Sequence, residues 1–273
     1  MIAFPNCKIN LGLSIIAKRA DGYHALETVF YPVALQDMLE IIHSDNTAKD
    51  IIFSNTGIDI PGDETQNLCV KAYHLLKKDF PTIPAVKMHL HKKIPMGAGL
   101  GGGSSDGTAV LKLLNQQFNV GLNLNQLVDY AAQLGSDCPF FVHDHACHAT
   151  GRGEILNAST CDLSNYKIVL VHPGIHVSTT WAFSQLQPHA KEKSIAEIVA
   201  QPIETWKTTL INDFEAPLFK AHPILETIKN ELYAQGALYA SMSGSGSSLF
   251  GIFPATFSWP KAFMDNQFST DFI

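Results

Sequence analysis

Cysteine is scarce in this sequence, and its few occurrences are not paired. The 273 residues contain five cysteines, and no two of them form a C-x-x-C pair. An odd number without short spacings argues against a disulfide framework and favours reduced thiols, which are typical of cytoplasmic proteins. The histidines and cysteines also show no recognisable metal-binding spacing. We therefore expect a cytoplasmic protein without disulfide cross-links.

Long apolar runs are missing as well. No stretch reaches the roughly eighteen apolar residues that a membrane helix needs, although 46% of the residues are hydrophobic. The first residues, Met-Ile-Ala-Phe-Pro-Asn-Cys-Lys, contain no apolar signal core. We therefore expect neither a secretory leader nor a membrane partner.

Charge is low, and its sign makes one class of partner improbable. Only 16% of the residues are charged, the formal net charge is −6 and the pI is near 6.0. Because general nucleic-acid binders are basic, no nucleic-acid partner is expected. An anionic small molecule would need a local positive patch, and the stretch 80–105 contains no acid. The lysines in or beside that stretch are Lys87, Lys92, Lys93 and Lys112. Solubilising surface lysines are an equally good interpretation of Lys87 and Lys112.

Glycine, by contrast, is concentrated in one stretch between a predicted strand and a predicted helix. Apolar residues alternate over 86–93 and recur at helical spacing over 110–118. Helix starts present free N–H groups that attract phosphate, and serine and aspartate are typical N-cap residues. The pattern therefore predicts a phosphate-binding loop before the helix. The stretch reads Pro95-Met96-Gly97-Ala98-Gly99-Leu100-Gly101-Gly102-Gly103-Ser104-Ser105-Asp106.

Two common phosphate motifs do not fit this loop. Gly97, Gly99 and Gly102 match G-x-G-x-x-G, but the dinucleotide fingerprint also expects an acid about twenty residues later. No acid occurs between positions 106 and 129. A P-loop ends in Gly-Lys-Ser/Thr, whereas the third consecutive glycine here is followed by serine. A glycine turn without a ligand is an alternative, but a phosphate loop of a third kind is favoured.

The loop resembles the ATP loop of the GHMP kinases, which are named for galactokinase, homoserine kinase, mevalonate kinase and phosphomevalonate kinase. Three glycines followed by Ser-Ser-Asp are similar to one member of that family in particular. Segments 8–11 (Lys-Ile-Asn-Leu) and 18–24 (Lys-Arg-Ala-Asp-Gly-Tyr-His) resemble the first motif of the same member, and 243–248 resembles the third motif of the family. The implied reaction transfers phosphate from ATP to the 2-hydroxyl of a cytidine-diphosphate-linked methylerythritol, in non-mevalonate isoprenoid synthesis.

The first strand carries two polar candidates. Residues 7–15 alternate and predict a half-buried strand, with Lys8 and Asn10 on its polar face. An Asp-Gly turn follows, and the return strand over 23–33 is expected to end near Pro32. A solvent-facing surface is the alternative interpretation. The resemblance implies that Lys8 is catalytic and orients the acceptor, and that Asn10 binds it.

The second catalytic candidate is Asp137. Gly135 stops a predicted helix over 124–134, and Pro139 disfavours helix at Cys138. Asp137 is therefore expected between a helix end and a strand, where the helix dipole is unfavourable for an acid. Residue patterns alone predict that Asp137 is a turn residue. The resemblance of Gly-Ser-Asp-Cys-Pro-Phe to the family's Gly-x-Asp-Val-Pro-Phe makes it the base, with Lys8 within about 4 Å.

The resemblance also implies ATP as the phosphate donor, with Mg²⁺ whose ligands stay unresolved. Asn67 precedes a predicted helix over 68–80 and is expected to cap it; the resemblance places it near adenine as well. Gly107-Thr108 departs from the two alanines expected after Asp106, which weakens the helix's first turn slightly. The implied nucleotide-binding residues are Pro95, Met96, Gly97, Ala98, Gly99, Leu100, Gly101, Gly102, Gly103, Ser104, Ser105, Asn67 and Lys92.

The acceptor's cytosine is expected to lie between two aromatic rings. The positions similar to the family's pair are Tyr23 and Phe183, and His24 is the candidate that reads the edge of the base. A packed core is the alternative, because the chain has 16 Phe and 7 Tyr.

An α/β (α+β) fold in two domains is implied by the resemblance. Residues 1–158 would form a domain like that of ribosomal protein S5 with the ATP loop, and 159–273 a ferredoxin-like domain on the substrate side, with the site between them. The patterns add a strand over 166–171, helices over 195–199 and 224–232, and a glycine-serine loop over 241–248 between strands. Another GHMP kinase and a non-enzymatic nucleotide-binding module are the remaining alternatives.

Overall fold

The computed structural model describes residues 1–45, 48–189 and 192–258 and the backbone of Ser269–Phe272. The chain divides into two compact units, and each contains separate stretches of sequence. The first unit consists of Met1–Cys7, Ala34–Met96 and Gly101–His145, and the second of Lys8–Val33, Gly97–Leu100 and Ala146–Ile273. The predicted domain boundary after residue 158 stays a prediction.

Helices and strands are mixed along the chain, and the α+β class is confirmed. The strands are β1 (Ile2–Ala3), β2 (Asn6–Lys18), β3 (His24–Gln36), β4 (Met38–His43), β5 (Ile51–Gly57), β6 (Val86–Lys92), β7 (Cys147–Thr150), β8 (Ile155–Ala158), β9 (Tyr166–His172), β10 (Tyr239–Met242), β11 (Leu249–Pro254) and β12 (Ser269–Phe272). The helices are α1 (Leu68–Asp79), α2 (Gly102–Gln117), α3 (Leu124–Leu134), α4 (Cys138–His143), α5 (Thr179–Ser184), α6 (Ile195–Val199), α7 (Trp206–Thr209), α8 (Glu215–Ala221) and α9 (Pro223–Ala234). Short 3-10 turns occur at Glu64–Gln66 and Ile203–Thr205.

The first unit contains a sheet in the order β1-β4-β6-β5, with helices packed on it. Strands β5 and β6 are parallel, and the other pairs are antiparallel. The alternation predicted over 86–93 is confirmed, since Met88 and Leu90 are buried while Lys87 and His91 are exposed. The buried strand residues share one apolar core with residues of α1, α2 and α3.

Helix α1 begins where the sequence predicts. The Asn67 side chain accepts a hydrogen bond from the Cys69 N–H at 2.8 Å, which confirms the predicted cap. Helix α3 is also as predicted. Its Asn123 cap and the Gln126 side chain form a reciprocal capping box.

The start of α2 corrects the predicted capping residues. Ser104, Ser105 and Asp106 lie inside the helix, and the N-cap is Gly101, with a φ of 70° and no side-chain cap. The Ser105 N–H already donates to the Gly101 carbonyl at 2.9 Å. The N-cap therefore lies three residues before the first predicted one, Ser104, because Gly101 adopts the left-handed backbone that opens this turn.

The strand predicted after Asp137 is wrong, because residues 138–143 form helix α4. Pro139 lies in the first turn of this helix, where its missing N–H removes no intrahelical bond. Asp137 is the N-cap residue and therefore lies before a helix start rather than only after a helix end. The prediction that Asp137 lies only at the negative end of a helix dipole is therefore wrong, because the start of α4 is a positive end.

The second unit contains two sheets, in the orders β2-β3-β7-β8 and β10-β11-β9-β12. The prediction of a half-buried first strand is wrong, because Lys8, Asn10 and Ser14 on the polar face of β2 are buried as well. Strand β3 continues past Pro32 to Gln36. Pro32 lies beyond the three residues that pair with β7, so no bond to β7 is lost there.

The remaining predictions for the second unit are largely confirmed. Strands β9, β10 and β11 and helices α6 and α9 lie where the patterns place them. Helices α5, α7 and α8 were not predicted, since four to seven residues are too few to show a helical period. The sequence also favours a loop over 188–193, a segment that falls partly outside the described residues.

Candidate active site

Residues from three distant segments form one hydrogen-bonded network in the second unit. The buried Lys8 ammonium donates to Asn10 Oδ1 at 2.6 Å and to the Gly99 carbonyl at 3.1 Å. The Asn10 N–H donates to Ser243 Oγ at 3.2 Å, and the Ser243 hydroxyl donates to the same Gly99 carbonyl at 2.8 Å. The Lys8 N–H donates to the Leu100 carbonyl at 2.9 Å. The first motif, the middle of the glycine loop and the third motif therefore meet.

The close approach of the Ser243 backbone explains why position 99 is glycine. Gly99 has a φ of 79°, and an added Cβ would overlap the Ser243 carbonyl oxygen. The neighbouring Ala98 carbonyl accepts a hydrogen bond from the Ser248 N–H at 3.2 Å. A side chain at position 99 would separate the two glycine-rich loops, since backbone atoms cannot move aside as a flexible side chain can.

Two buried polar residues that the sequence analysis did not identify hold the third motif in place. Asn212 Nδ2 donates to the Met242 and Gly244 carbonyls at 2.7 and 2.9 Å. Glu215 Oε1 accepts from the Met242 N–H and from the Ser241 hydroxyl, each at 2.9 Å. Neither Asn212 nor Glu215 lies in a recognisable motif. Only the structure, through their burial and hydrogen bonds, shows that they hold the third motif in place.

The glycine loop enters the first unit at Gly101 and becomes α2. The first N–H groups of a helix have no intrahelical acceptor, so those of Gly102, Gly103 and Ser104 open the helix with donors for an anion. The positive end of the helix dipole adds to that preference. This geometry can hold a phosphate, as the loop pattern predicted.

A cavity of about 370 Å³ lies beside the start of α2 in the first unit. Small-molecule sites commonly measure 300–1,000 Å³ and combine apolar walls with a few polar groups, and this cavity has both. Asn67 contributes to its wall in addition to capping α1. Residues that line it include Phe53, Ile60, Asn67, Leu68, Gly103 and Asp106.

Lys92 lies in an internal ion cluster, and its predicted contact with ATP stays a prediction. Its ammonium is fully buried and bonds to Asp37 Oδ2 and, at 2.9 Å, to Asp106 Oδ2. Burial would lower the pKa of Lys92, but attraction to Asp106 and Asp37 raises it above its ordinary value. We therefore assign Lys92 a structural role. Asp37, on which the cluster depends, carries no sequence signal.

Helix α4 places Asp137 in the first unit, next to the helix that follows the loop. Thr108 of α2 donates to the Cys138 carbonyl at 3.0 Å, and Lys112 donates to the Phe141 carbonyl at 2.6 Å. The unexpected Thr108 therefore has a structural reason. Since Lys8 belongs to the second unit, the expected distance between Lys8 and Asp137 stays a prediction.

Gly107, the other departure from the expected alanines, also has a packing reason. An added Cβ at position 107 would lie 3.0 Å from Leu68 Cβ and 3.2 Å from the Leu68 carbonyl oxygen. The start of α1 therefore packs directly against α2, which brings Asn67 and Leu68 to the cavity.

The aromatic candidates lie near one another in the second unit. The His24 ring stacks on Phe183, with centroids 5.1 Å apart and an interplanar angle of 25°. Tyr23 is 57% exposed, and the Arg152 guanidinium lies over its ring at 5.0 Å. The structure thus pairs Phe183 with His24, whereas the cytosine sandwich was expected between Tyr23 and Phe183.

Neither a metal centre nor a membrane span is found in the described part of the chain. No three or more of its His, Cys, Asp and Glu side chains are grouped to hold a metal ion. Its helices include none with the length and apolar character of a membrane span.

Comparison with known families agrees with this geometry. The family model described as the GHMP kinases N terminal domain matches residues 67–145, which include part of the cavity wall, the glycine loop and Asp137. The model described as GHMP kinases C terminal matches residues 195–257, which include Asn212 and the third motif. The chain belongs to the GHMP kinases, which are ATP-dependent small-molecule kinases.

Within that family the chain is similar to 4-diphosphocytidyl-2-C-methyl-D-erythritol kinases. That of Bacteroides thetaiotaomicron is 51% identical over 261 residues, which cover 96% of this chain and 95% of the relative. That of Bacteroides fragilis is 50% identical over 253 residues, covering 93% and 92%. A crystal structure of 4-(cytidine 5'-diphospho)-2C-methyl-D-erythritol kinase superposes with a TM-score of 0.80 at 30% identity, covering 92% of this chain and 90% of that one. The resemblance predicted from the motifs is confirmed.

Proposed function

We propose that this GHMP kinase transfers the γ-phosphate of ATP to the 2-hydroxyl of 4-diphosphocytidyl-2-C-methyl-D-erythritol, a step of the non-mevalonate isoprenoid pathway. The network of Lys8, Asn10, Gly99 and Ser243 carries the proposal. It joins the phosphate loop to the segment that resembles this particular kinase. Similarity to relatives with that name over most of the chain supports the choice of acceptor.

ATP is assigned to the loop and the neighbouring cavity of the first unit. The cavity accepts the base and ribose, with Asn67 and Leu68 on one wall. The N–H groups at the start of α2 and the Ser104 and Ser105 hydroxyls hold the phosphates. Because the loop backbone is fixed by the Gly99 and Gly101 turns, these donors are oriented before the nucleotide binds.

Asp137 is assigned the role of base, and Lys8 that of its electrostatic partner. Phosphoryl transfer depends mainly on positioning and charge stabilisation. Asp137 accepts the proton of the attacking hydroxyl. Lys8 orients the acceptor and offsets the charge that develops on the transferring group. Asn10 fixes the Lys8 ammonium through its 2.6 Å bond and is assigned to the acceptor side.

Mg²⁺ is expected to accompany ATP. This ion commonly keeps several waters and is held by substrate phosphates and few protein groups. When bound, Mg²⁺ neutralises charge on the β- and γ-phosphates.

A coupled ADP-release assay tests the proposed reaction. Purified protein is supplied with ATP and, in separate reactions, 4-diphosphocytidyl-2-C-methyl-D-erythritol, homoserine or mevalonate. ADP release is expected only with the first acceptor, because only that reaction uses the cytosine-binding residues. Comparable kcat/KM values with homoserine or mevalonate would instead assign the chain to another GHMP activity.

Gly101→Val is expected to weaken ATP binding by about tenfold or more, equivalent to at least 1.4 kcal/mol. Gly101 has a φ of 70° at the N-cap of α2, and a β-branched residue resists that backbone and fills space beside the phosphates. Calorimetry with ATP measures the effect. Gly121→Val is the control, since Gly121 has a φ of 85° with no atoms near an added Cβ. Equal losses of affinity in two folded variants would contradict a phosphate role.

A further inference from the structure

A buried aspartate at the cavity wall carries one carboxylate oxygen that has no hydrogen-bond partner among the described residues. Asp106 lines the cavity and is only 2% exposed. Its Oδ2 accepts from the Lys92 ammonium, but its Oδ1 has no hydrogen-bond partner in the described part of the chain. Because buried polar atoms are nearly always hydrogen-bonded, an unpaired oxygen at a cavity wall indicates that the ligand supplies the partner.

The charges around Asp106 favour its neutral form. Asp37 accepts from three donors, namely the N–H groups of Lys93 and Ile94 and the Lys92 ammonium, so Asp37 makes the closer pair with that single cation. A second buried carboxylate would leave the cluster with a net charge of −1 away from water. Burial, opposed by Lys92 and reinforced by Asp37, raises the pKa of Asp106 to about 7.

Other ionisable groups near Asp106 do not supply a second positive charge. Cys69 of α1 is buried, and burial raises the pKa of its thiol well above the ordinary range. Two more acids line the cavity but are exposed to solvent. These acids are Asp63 and Glu64.

We propose that Asp106 recognises the nucleotide as a neutral carboxylic acid, with its proton on Oδ1 donated to an acceptor nitrogen of the purine ring. Oδ2 already accepts from Lys92, which leaves Oδ1 as the oxygen that carries the proton. Apolar residues such as Phe53 and Leu68 on the cavity wall suit a flat base rather than a phosphate. Proteins elsewhere keep a buried carboxylic acid neutral so that it can donate a hydrogen bond. The inference rests on the assignment of ATP to this cavity.

Proton linkage tests the inference directly. Calorimetry of adenosine, ADP and tripolyphosphate binding is performed with and without Mg²⁺ in two buffers of different ionisation enthalpy, from pH 6 to 8.5. The wild type is expected to take up about one proton per adenosine or ADP at pH 8, and affinity should fall by about tenfold per pH unit above pH 7. Adenosine has no phosphate, so a proton taken up with adenosine is linked to the base.

Asp106→Asn and Asp106→Leu form the matched pair. Asparagine keeps a donor without a titrating proton, so its adenosine affinity should not change with pH and no proton should be taken up. Leucine removes the donor and should lower affinity by about tenfold relative to the asparagine variant at every pH, the size of one hydrogen bond. If the leucine variant does not fold, the asparagine variant still decides the question.

Four outcomes would overturn the inference. Proton release together with a requirement for Mg²⁺ would make Asp106 an ionised metal ligand. Proton uptake with ADP or tripolyphosphate but not with adenosine would mean that Asp106 contacts phosphate rather than the base. Nucleotide binding with no Asp106-dependent proton uptake would remove the donor role but leave the ATP site intact. If no nucleotide binds at any pH, the proposed ATP site itself is wrong, and the inference fails with it.

Discussion

Asp137→Asn is expected to lower kcat by on the order of 10² to 10⁴, the range typical of a lost general base. Asparagine has nearly the same shape and is also a good N-cap residue, so α4 should persist, and the bonds from Thr108 and Lys112 that hold it involve backbone carbonyls only. ATP affinity should change little, because the variant removes a proton acceptor and no phosphate contact. Steady-state kinetics with calorimetry of ATP binding measures both.

Asp129→Asn is the matched control, since it makes the same charge change on an exposed position of α3. Its kcat should stay close to that of the wild type. Lys8→Ala and the double variant complete a cycle: if both residues serve one step, their losses should be strongly non-additive. A kcat near the wild-type value in a folded Asp137→Asn variant would remove Asp137 from the mechanism.

Tyr23→Ala is expected to raise KM for the cytidine substrate by about tenfold to a hundredfold, because stacking on a base is worth roughly 1–3 kcal/mol. Tyr23 is more than half exposed, so its ring is accessible to a ligand and its loss should not disturb the core. Stacking does not distinguish cytosine from uracil, so the preference over the uridine analogue should be largely kept. Tyr23→Phe keeps the ring and serves as the control.

His24→Ala is the complementary variant. If the His24 side chain reads the edge of the base, the ratio of kcat/KM values for the cytidine and uridine substrates should fall, because a fixed donor-acceptor pattern penalises the wrong base. His24 also stacks on Phe183, so KM for both substrates is expected to rise, and only the ratio reports base reading. An unchanged KM in Tyr23→Ala would remove the sandwich, and an unchanged ratio in His24→Ala would leave His24 at most a backbone role.

The sequence alone determined those features that depend on neighbouring residues. Strand β6 and helices α1 and α3 follow their apolar periods, and Asn67 caps α1, because capping and periodicity involve contacts within a few residues. The glycine loop predicts a phosphate site, because glycine allows another group to approach the backbone closely. The resemblance to GHMP kinases followed from three short motifs in the right order.

Tertiary structure decided what those motifs contact. Asn10 and Ser243 are separated by 233 residues, and Lys8 and Gly99 by 91, so no local pattern could show that the polar face of β2 is buried. The same is true of Asp37, which makes Lys92 an internal ion partner, and of Asn212, which fixes the third motif. The α4 helix formed where local propensity predicted a strand, because Pro139 is harmless in a first turn and Thr108 and Lys112 bind the helix to α2. Charge burial and long-range hydrogen bonds depend on which segments meet, and that is set only when the chain folds.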